Sequence, residues 1–189
     1  YLRFLMPTIR GSELGTKKRY AGLVEINGQR DMVFKGLENV RTDWTQLAKE
    51  FQMTLYRKIF DGEDYFDFVR NTTAQVLAGE RDLELIYRKR LRRHLHEYQK
   101  NVPPHVQAAR KYEQLTGARL RRGHWISYVI TVNGPEPVGS DEINMNLRQS
   151  PIDYQHYVDK QLTPVADSIL HFMDESLGQL VENQMSLFG

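Results

Sequence analysis

Apolar residues recur along this chain in two different periods. TKKRYAGLVEI and DMVFKG are β-like, although the first opens on three cations rather than an alternation of apolar and polar residues. Asn27-Gly28 lies between them, a dipeptide that favours the positive φ angles of a tight hairpin turn. The pattern predicts an antiparallel pair over 17–26 and 31–35. Upstream, FLMPTIRG is either another extended piece or the tail of a helix, and Pro7 argues against the helix. HWISYVITV is a further strand, with Ile126, Tyr128, Ile130 and Val132 on one face.

Elsewhere the period is helical. Trp44, Leu47, Ala48, Phe51, Leu55 and Ile59 form one stripe, with Thr42 or Asp43 as its cap and Asp61-Gly62 as its stop. Asp64 then caps a second helix with Tyr65, Phe68, Val69, Thr72 and Val76 inward, ending at Gly79. The short turn between the two predicts an antiparallel pair. A third helix runs from Pro104 to Gly117, and a fourth follows a strong stripe from Leu162 to Val181. Residues 81–100 are polar and basic without a clear period. NGPEPVGSDEINMNLRQSP reads as a long loop. Together these elements predict an α+β chain: a small antiparallel β element, then a mostly helical body with a short inserted strand.

Composition narrows the class without naming a task. Hydrophobic residues are 40% and charged residues 26% of 189, which is globular rather than disordered. No apolar run approaches the roughly 20 residues of a membrane-spanning helix. Cysteine is absent, which excludes thiolate chemistry and fits a reducing cytoplasm. Tyr1 is not a start residue, so the sequence reads as a piece of a longer chain or a processed product. The net charge of +2 hides an uneven distribution. Residues 81–122 hold twelve Lys/Arg against four Asp/Glu, while the flanking stretches are acidic. Such a block is either a phosphate-binding face or a solvated one.

Residues of catalytic type are present, but not in catalytic patterns. Asp61, Glu63, Asp64 and Asp67 gather where a helix starts, which suits the helix dipole better than a calcium loop. His94 and His96 lack a third ligand at metal-site spacing. No Ser, Lys or Thr carries a nucleophile motif. Binding signals are stronger. Arg88, Lys89, Arg90, Arg92 and Arg93 fall within six residues beside Tyr87 and Tyr98, with only Glu84 and Glu97 near. A polyanion such as a phosphate backbone would neutralise them and release counterions. The helix beginning at Pro104 follows at once, and free N–H groups at a helix start bind phosphate. On the first hairpin, alternation puts Lys18 and Tyr20 on one face and Lys17 and Arg19 on the other. That row is either a nucleic-acid contact or a charged edge that resists aggregation. The tail, QMSLFG, ends in two large apolar side chains that either fold back or dock on a partner.

PTIRG, KKRYAGL, KGLENVRTDW, YRKRL, EYQKNVPPHVQAAR, ISYVI and NGPEP, in this order, resemble the carboxy-terminal part of family B DNA polymerases, most of all the bacterial branch. The resemblance covers essentially the whole chain. It implies that residues 1–43 are the end of a palm domain, 44–180 a mostly helical thumb, and 181–189 a tail that docks on a sliding clamp. It implies contacts to primer–template duplex DNA from Lys18, Tyr20, Lys35, Arg41, Lys89 and His105, and the basic stretches add Lys17, Arg19, Arg88, Arg90, Arg92 and Arg93 to the expected contacts. Gln184, Leu187 and Phe188 match the clamp-binding motif, with Gly189 as a small departure. The family's polymerising aspartates sit in a Tyr-Gly-Asp-Thr-Asp-Ser segment and an earlier Asp-rich motif, and neither is in this sequence. Mg²⁺ is therefore expected in the full-length polymerase and not in these residues, which are expected to be inactive alone. Replication and repair in a bacterial cytoplasm, at the nucleoid, follow from the same resemblance. Two other readings stay open: a stand-alone adaptor joining a clamp to nucleic acid, and a basic block that meets an acidic protein surface.

Overall fold

Asn27 and Gly28 both take positive φ, 53° and 78°, and close the hairpin between β2 (Tyr20–Ile26) and β3 (Gln29–Lys35). In this computed structural model residues 3–5, 20–35, 44–139 and 147–170 are described. β1 (Arg3–Leu5) adds to the other side of β2, giving an antiparallel sheet in the order β1-β2-β3. β3 begins at Gln29 rather than at the expected 31, because the turn uses Asn27 and Gly28 alone; residues 17–19 of the expected first strand lie outside the described residues. Ala21 and Leu23 stand opposite Phe34 and Met32 and put that face into the core.

α1 (Gln46–Asp61) and α2 (Phe66–Leu77) follow. The cap of α1 is Thr45, whereas Thr42 and Asp43 lie outside the described residues. Thr45 Oγ1 accepts from the Ala48 N–H at 3.2 Å and donates to Gln161 Oε1 at 2.7 Å. A partner far away in sequence therefore decides where this helix begins. Gly62 ends α1 in the left-handed region, at φ 71°. Asp64 accepts from the Phe66 N–H at 2.9 Å, so it does serve the start of α2. Asp67 pairs with Arg70 one turn on.

Two stretches differ from expectation. Residues 87–90, within the polar basic run, form the strand β4 (Tyr87–Arg90). Residues 134–137, expected to be loop, form β6 (Gly134–Pro137). Both pair with β5 (Trp125–Thr131), giving a second antiparallel sheet in the order β4-β5-β6. Pro135 and Pro137 are two residues apart on an edge strand. Their missing N–H groups therefore fall on one side, the side with no ladder partner. Val132, expected inside with Ile130, lies beyond the strand end and is exposed. α3 (Pro104–Thr116) packs on this sheet, bracketed by Pro104 and Gly117 as its punctuation predicted. The last helix begins as α4 (Tyr154–Tyr157), widens through a π turn at Val158–Leu162 and continues as α5 (Thr163–Leu170). The part of its stripe beyond 170 lies outside the described residues.

The interior has two cores. The larger joins β2, α1, α2 and α5, with Phe51, Leu55, Tyr56, Tyr157 and Leu162 fully buried. The smaller lies between α3 and the second sheet, around Leu91, Val106, Ala109, Ile126 and Tyr128. Tyr87 and Ile130 pack against both. Mixed helix and small antiparallel sheets make this an α+β chain, as the periodicities implied.

Candidate nucleic-acid interface

The basic block is carried by an edge strand, and that divides it. Side chains opposite each other in a ladder share a face. Tyr87 stands opposite Tyr128, and Lys89 opposite Ile126, on the face covered by α3. Arg88 stands opposite Ser127, and Arg90 opposite Trp125, on the other face. The alternation divides the three cations of β4 between two faces. Lys89, Arg88, Arg90, Arg92 and Arg93 are all exposed. Among the described residues none of the five is in an ion pair.

Neutral contacts hold several of these cations in place. Arg88 lies over the Trp125 ring, 5.4 Å from its centroid. Arg90 Nε donates to the Gly123 carbonyl at 3.1 Å. Arg93 lies over the Tyr98 ring at 5.7 Å. The segment after β4 is itself anchored: His94 N–H donates to Glu97 Oε2 at 2.7 Å in a capping box. Arg110, from α3, donates to the Leu95 and Tyr98 carbonyls at 3.0 and 2.6 Å. His94 and His96 stack with centroids 5.7 Å apart.

Lys89 rests above the start of α3. There His105 is 5% exposed, edge-on to Tyr98. Burial, and next the Lys89 charge, push its ring down to about 4, so it is neutral at pH 7. His105 is thus a buried neutral ring close to the Lys89 charge rather than an exposed side chain. The start of α3 is also a poorer phosphate cradle than expected. Pro103 at the cap and Pro104 after it have no N–H to offer, and the Val106 N–H is taken by the Pro103 carbonyl at 3.1 Å.

The root of β4 is fixed by rings. Tyr87 stacks on Tyr128 at 5.3 Å and on Tyr157 at 5.5 Å, and its hydroxyl meets His156 Nε2 at 3.0 Å. Burial, with Tyr128 adding to it, raises the Tyr87 hydroxyl pKa, and burial lowers that of His156. Both are neutral at pH 7. On the first sheet, Tyr20 stands opposite Lys35 in the ladder, and Lys35 is exposed. The strand thus brings together two of the expected contacts. Lys17, Lys18, Arg19, Arg41, Gln184, Leu187 and Phe188 lie outside the described residues.

A sequence model of DNA polymerase family B matches residues 12–173. The chain belongs to that family. It is 51% identical over 194 residues to DNA polymerase II of Escherichia coli (strain K12), an alignment that covers all of this chain and 24% of that protein. It is 35% identical over 161 residues to DNA polymerase 2 of Aeropyrum pernix, covering 82% of this chain and 19% of that one. The solved family B DNA polymerase of the hyperthermophilic archaeon Pyrobaculum calidifontis is similar in fold, with a TM-score of 0.59 at 31% identity over 81% of this chain and 20% of the other. The chain therefore spans about a quarter or less of the length of these relatives.

Two-metal phosphoryl transfer requires clustered carboxylates. Among the described residues of this family B chain no three His, Cys, Asp or Glu side chains come together. No catalytic step is assigned to the described residues. The described residues also contain no helix long and apolar enough to cross a membrane. Sequence reasoning missed Trp125, Arg110 and the strand character of Tyr87–Arg90. The available signal lay on the neighbouring strand, where Ile126 and Tyr128 alternate and pair with Lys89 and Tyr87.

Proposed function

We propose that this chain is the end of the palm (1–43), the thumb (44–180) and a clamp-docking tail (181–189) of a DNA-directed DNA polymerase, and that it grips primer–template duplex DNA. Membership of DNA polymerase family B supports the activity of the whole polymerase, and the cationic edge strand supports the grip. The observation that carries the proposal is Lys89: exposed, free of any ion pair among the described residues, and set on a strand whose root is locked between tyrosine rings.

Lys89, Arg92 and Arg93 form the thumb contact, with His105 as the neutral support beneath. Lys35 and Tyr20, with Lys17, Lys18, Arg19 and Arg41, form the palm contact. Phosphate contacts of this kind hold a duplex without reading its sequence, as a copying enzyme requires. The metal-binding carboxylates belong to another part of the polymerase, so the chain alone binds and does not polymerise. Gln184, Leu187 and Phe188 give the tail a second attachment, to a ring-shaped sliding clamp around the same DNA. That raises effective concentration and so processivity.

The test is duplex binding as a function of salt. Affinity of the chain for a blunt duplex falls steeply between about 50 and 200 mM salt, because each neutralised phosphate releases counterion. Lys89→Ala weakens binding to all sequences alike and lowers the salt slope by about 1. An affinity that stays flat with salt overturns the proposal.

A further inference from the structure

The face of the second sheet opposite Lys89 is left unexplained by a duplex grip, and it has a composition of its own. Trp125 is 53% exposed, unusual for so large an apolar ring. Arg88 lies over it at 5.4 Å, and Arg90 is its ladder partner. Arg90 is held by the Gly123 carbonyl, and an added Cβ at position 123 would lie 3.4 Å from its Nη2, in van der Waals contact. The turn carrying Gly123 is closed reciprocally: His124 N–H donates to the Arg121 carbonyl at 3.1 Å and Arg121 N–H to His124 Nδ1 at 2.9 Å. Arg121 and Arg122 lie in that turn, just before Gly123, and both are exposed. Among the described residues none of these four arginines is in an ion pair. Further along the same face, Val129 and Thr131 are buried, so the open platform ends there.

We infer that this platform binds single-stranded nucleic acid, with an unpaired base stacked on Trp125 and the flanking phosphates on Arg88, Arg90, Arg121 and Arg122. The argument is charge and shape together. Four cations without acidic partners favour an anion, and an exposed indole favours a flat apolar one. A nucleobase between two phosphates is both, and base–aromatic stacking tolerates any sequence. A paired base in a duplex presents only its edge, so it leaves the indole unused. An acidic protein segment would satisfy the arginines and leave the ring wet.

The inference rests on the reading that the basic block meets nucleic acid, and the test separates the two. The full chain is titrated with a single-stranded dT12, a blunt 12-base-pair duplex, inorganic polyphosphate and an oligo-glutamate peptide. Indole fluorescence and competition against labelled dT12 are the readouts. dT12 quenches the fluorescence and binds; Trp125→Ala weakens dT12 binding roughly tenfold, Trp125→Phe keeps most of it, and duplex affinity is unchanged in both. Arg88→Gln, a change at an exposed position, also weakens dT12 binding and guards against misfolding of the Ala variant. Lys89→Ala shows the converse pattern, weakening duplex more than dT12. Equal dT12 binding by the parent and Trp125→Ala overturns the inference. So does competition by polyphosphate or oligo-glutamate as strong as by dT12. Duplex binding without dT12 binding overturns this inference alone, whereas loss of both overturns the duplex grip as well.

Discussion

His105 is a base held where a charge is expensive. Its ring sits at 5% exposure, and its pKa falls from the ordinary 6.5 to about 4. The unfolded chain therefore takes up a proton between those values that the folded chain refuses. Stability is full above pH 6.5 and declines as pH falls from 6.5 toward 4. One pKa unit is 1.36 kcal/mol, so His105 accounts for roughly 2 kcal/mol of loss between pH 6.5 and 4.5. Urea unfolding of the parent minus that of His105→Gln, measured at the two pH values, should give that difference. Equal pH slopes for the two proteins would show the ring to be solvated. Glu136 is buried in the opposite sense. Burial raises its pKa, but bonds from Ser150, Gln149 and Thr131 outweigh that and hold it below the ordinary carboxylate value. It accepts the Gln149 and Ser150 N–H groups at 2.7 and 3.0 Å, and so ties the chain after 147 to β6.

At the scale of elements, α1 is positioned by a contact across 116 residues of sequence. Removing the Thr45 hydroxyl costs the cap about 1 to 2 kcal/mol, and it also leaves the buried Gln161 amide short of a partner. Thr45→Ala should lower the urea midpoint without changing its slope, while Gln46→Ala, one residue further and exposed, should do little. Apolar stripes made α1 and α2 legible and Pro104 with Gly117 marked α3, and the three stops Gly62, Gly79 and Gly117 all take positive φ. The sequence pointed to Thr42 or Asp43 as the cap and missed Thr45, which its tertiary partner Gln161 singles out. β4 was illegible for a different reason. Three of its four residues are cations, so it shows no apolar alternation, and its place in the sheet comes from Ile126 and Tyr128 on the neighbouring strand. β6 was hidden by two prolines that an edge strand tolerates. The cation cluster was legible as composition, but which face each cation takes required the ladder.

For the whole molecule, the proposed grip on duplex DNA and the proposed docking of the tail are separate attachments with separate tests. A peptide of the last residues should bind a bacterial sliding clamp at roughly micromolar strength, about −8 kcal/mol, and replacing Leu187 and Phe188 with Ala should abolish it. Unchanged peptide binding would remove the tail from the proposal and leave the DNA contacts untouched. Conversely, the tail replacement in the full chain should leave the salt dependence of duplex binding as it was.

Tyr87 touches both cores, and Lys89 is only two residues away along the same strand. Tension applied at the lysine therefore runs down a stiff ribbon into the place where the interior halves meet, with no loose joint between. Occupancy should consequently be felt everywhere at once: amide protons deep in either half would exchange more slowly on bound DNA, and melting would shift as one event.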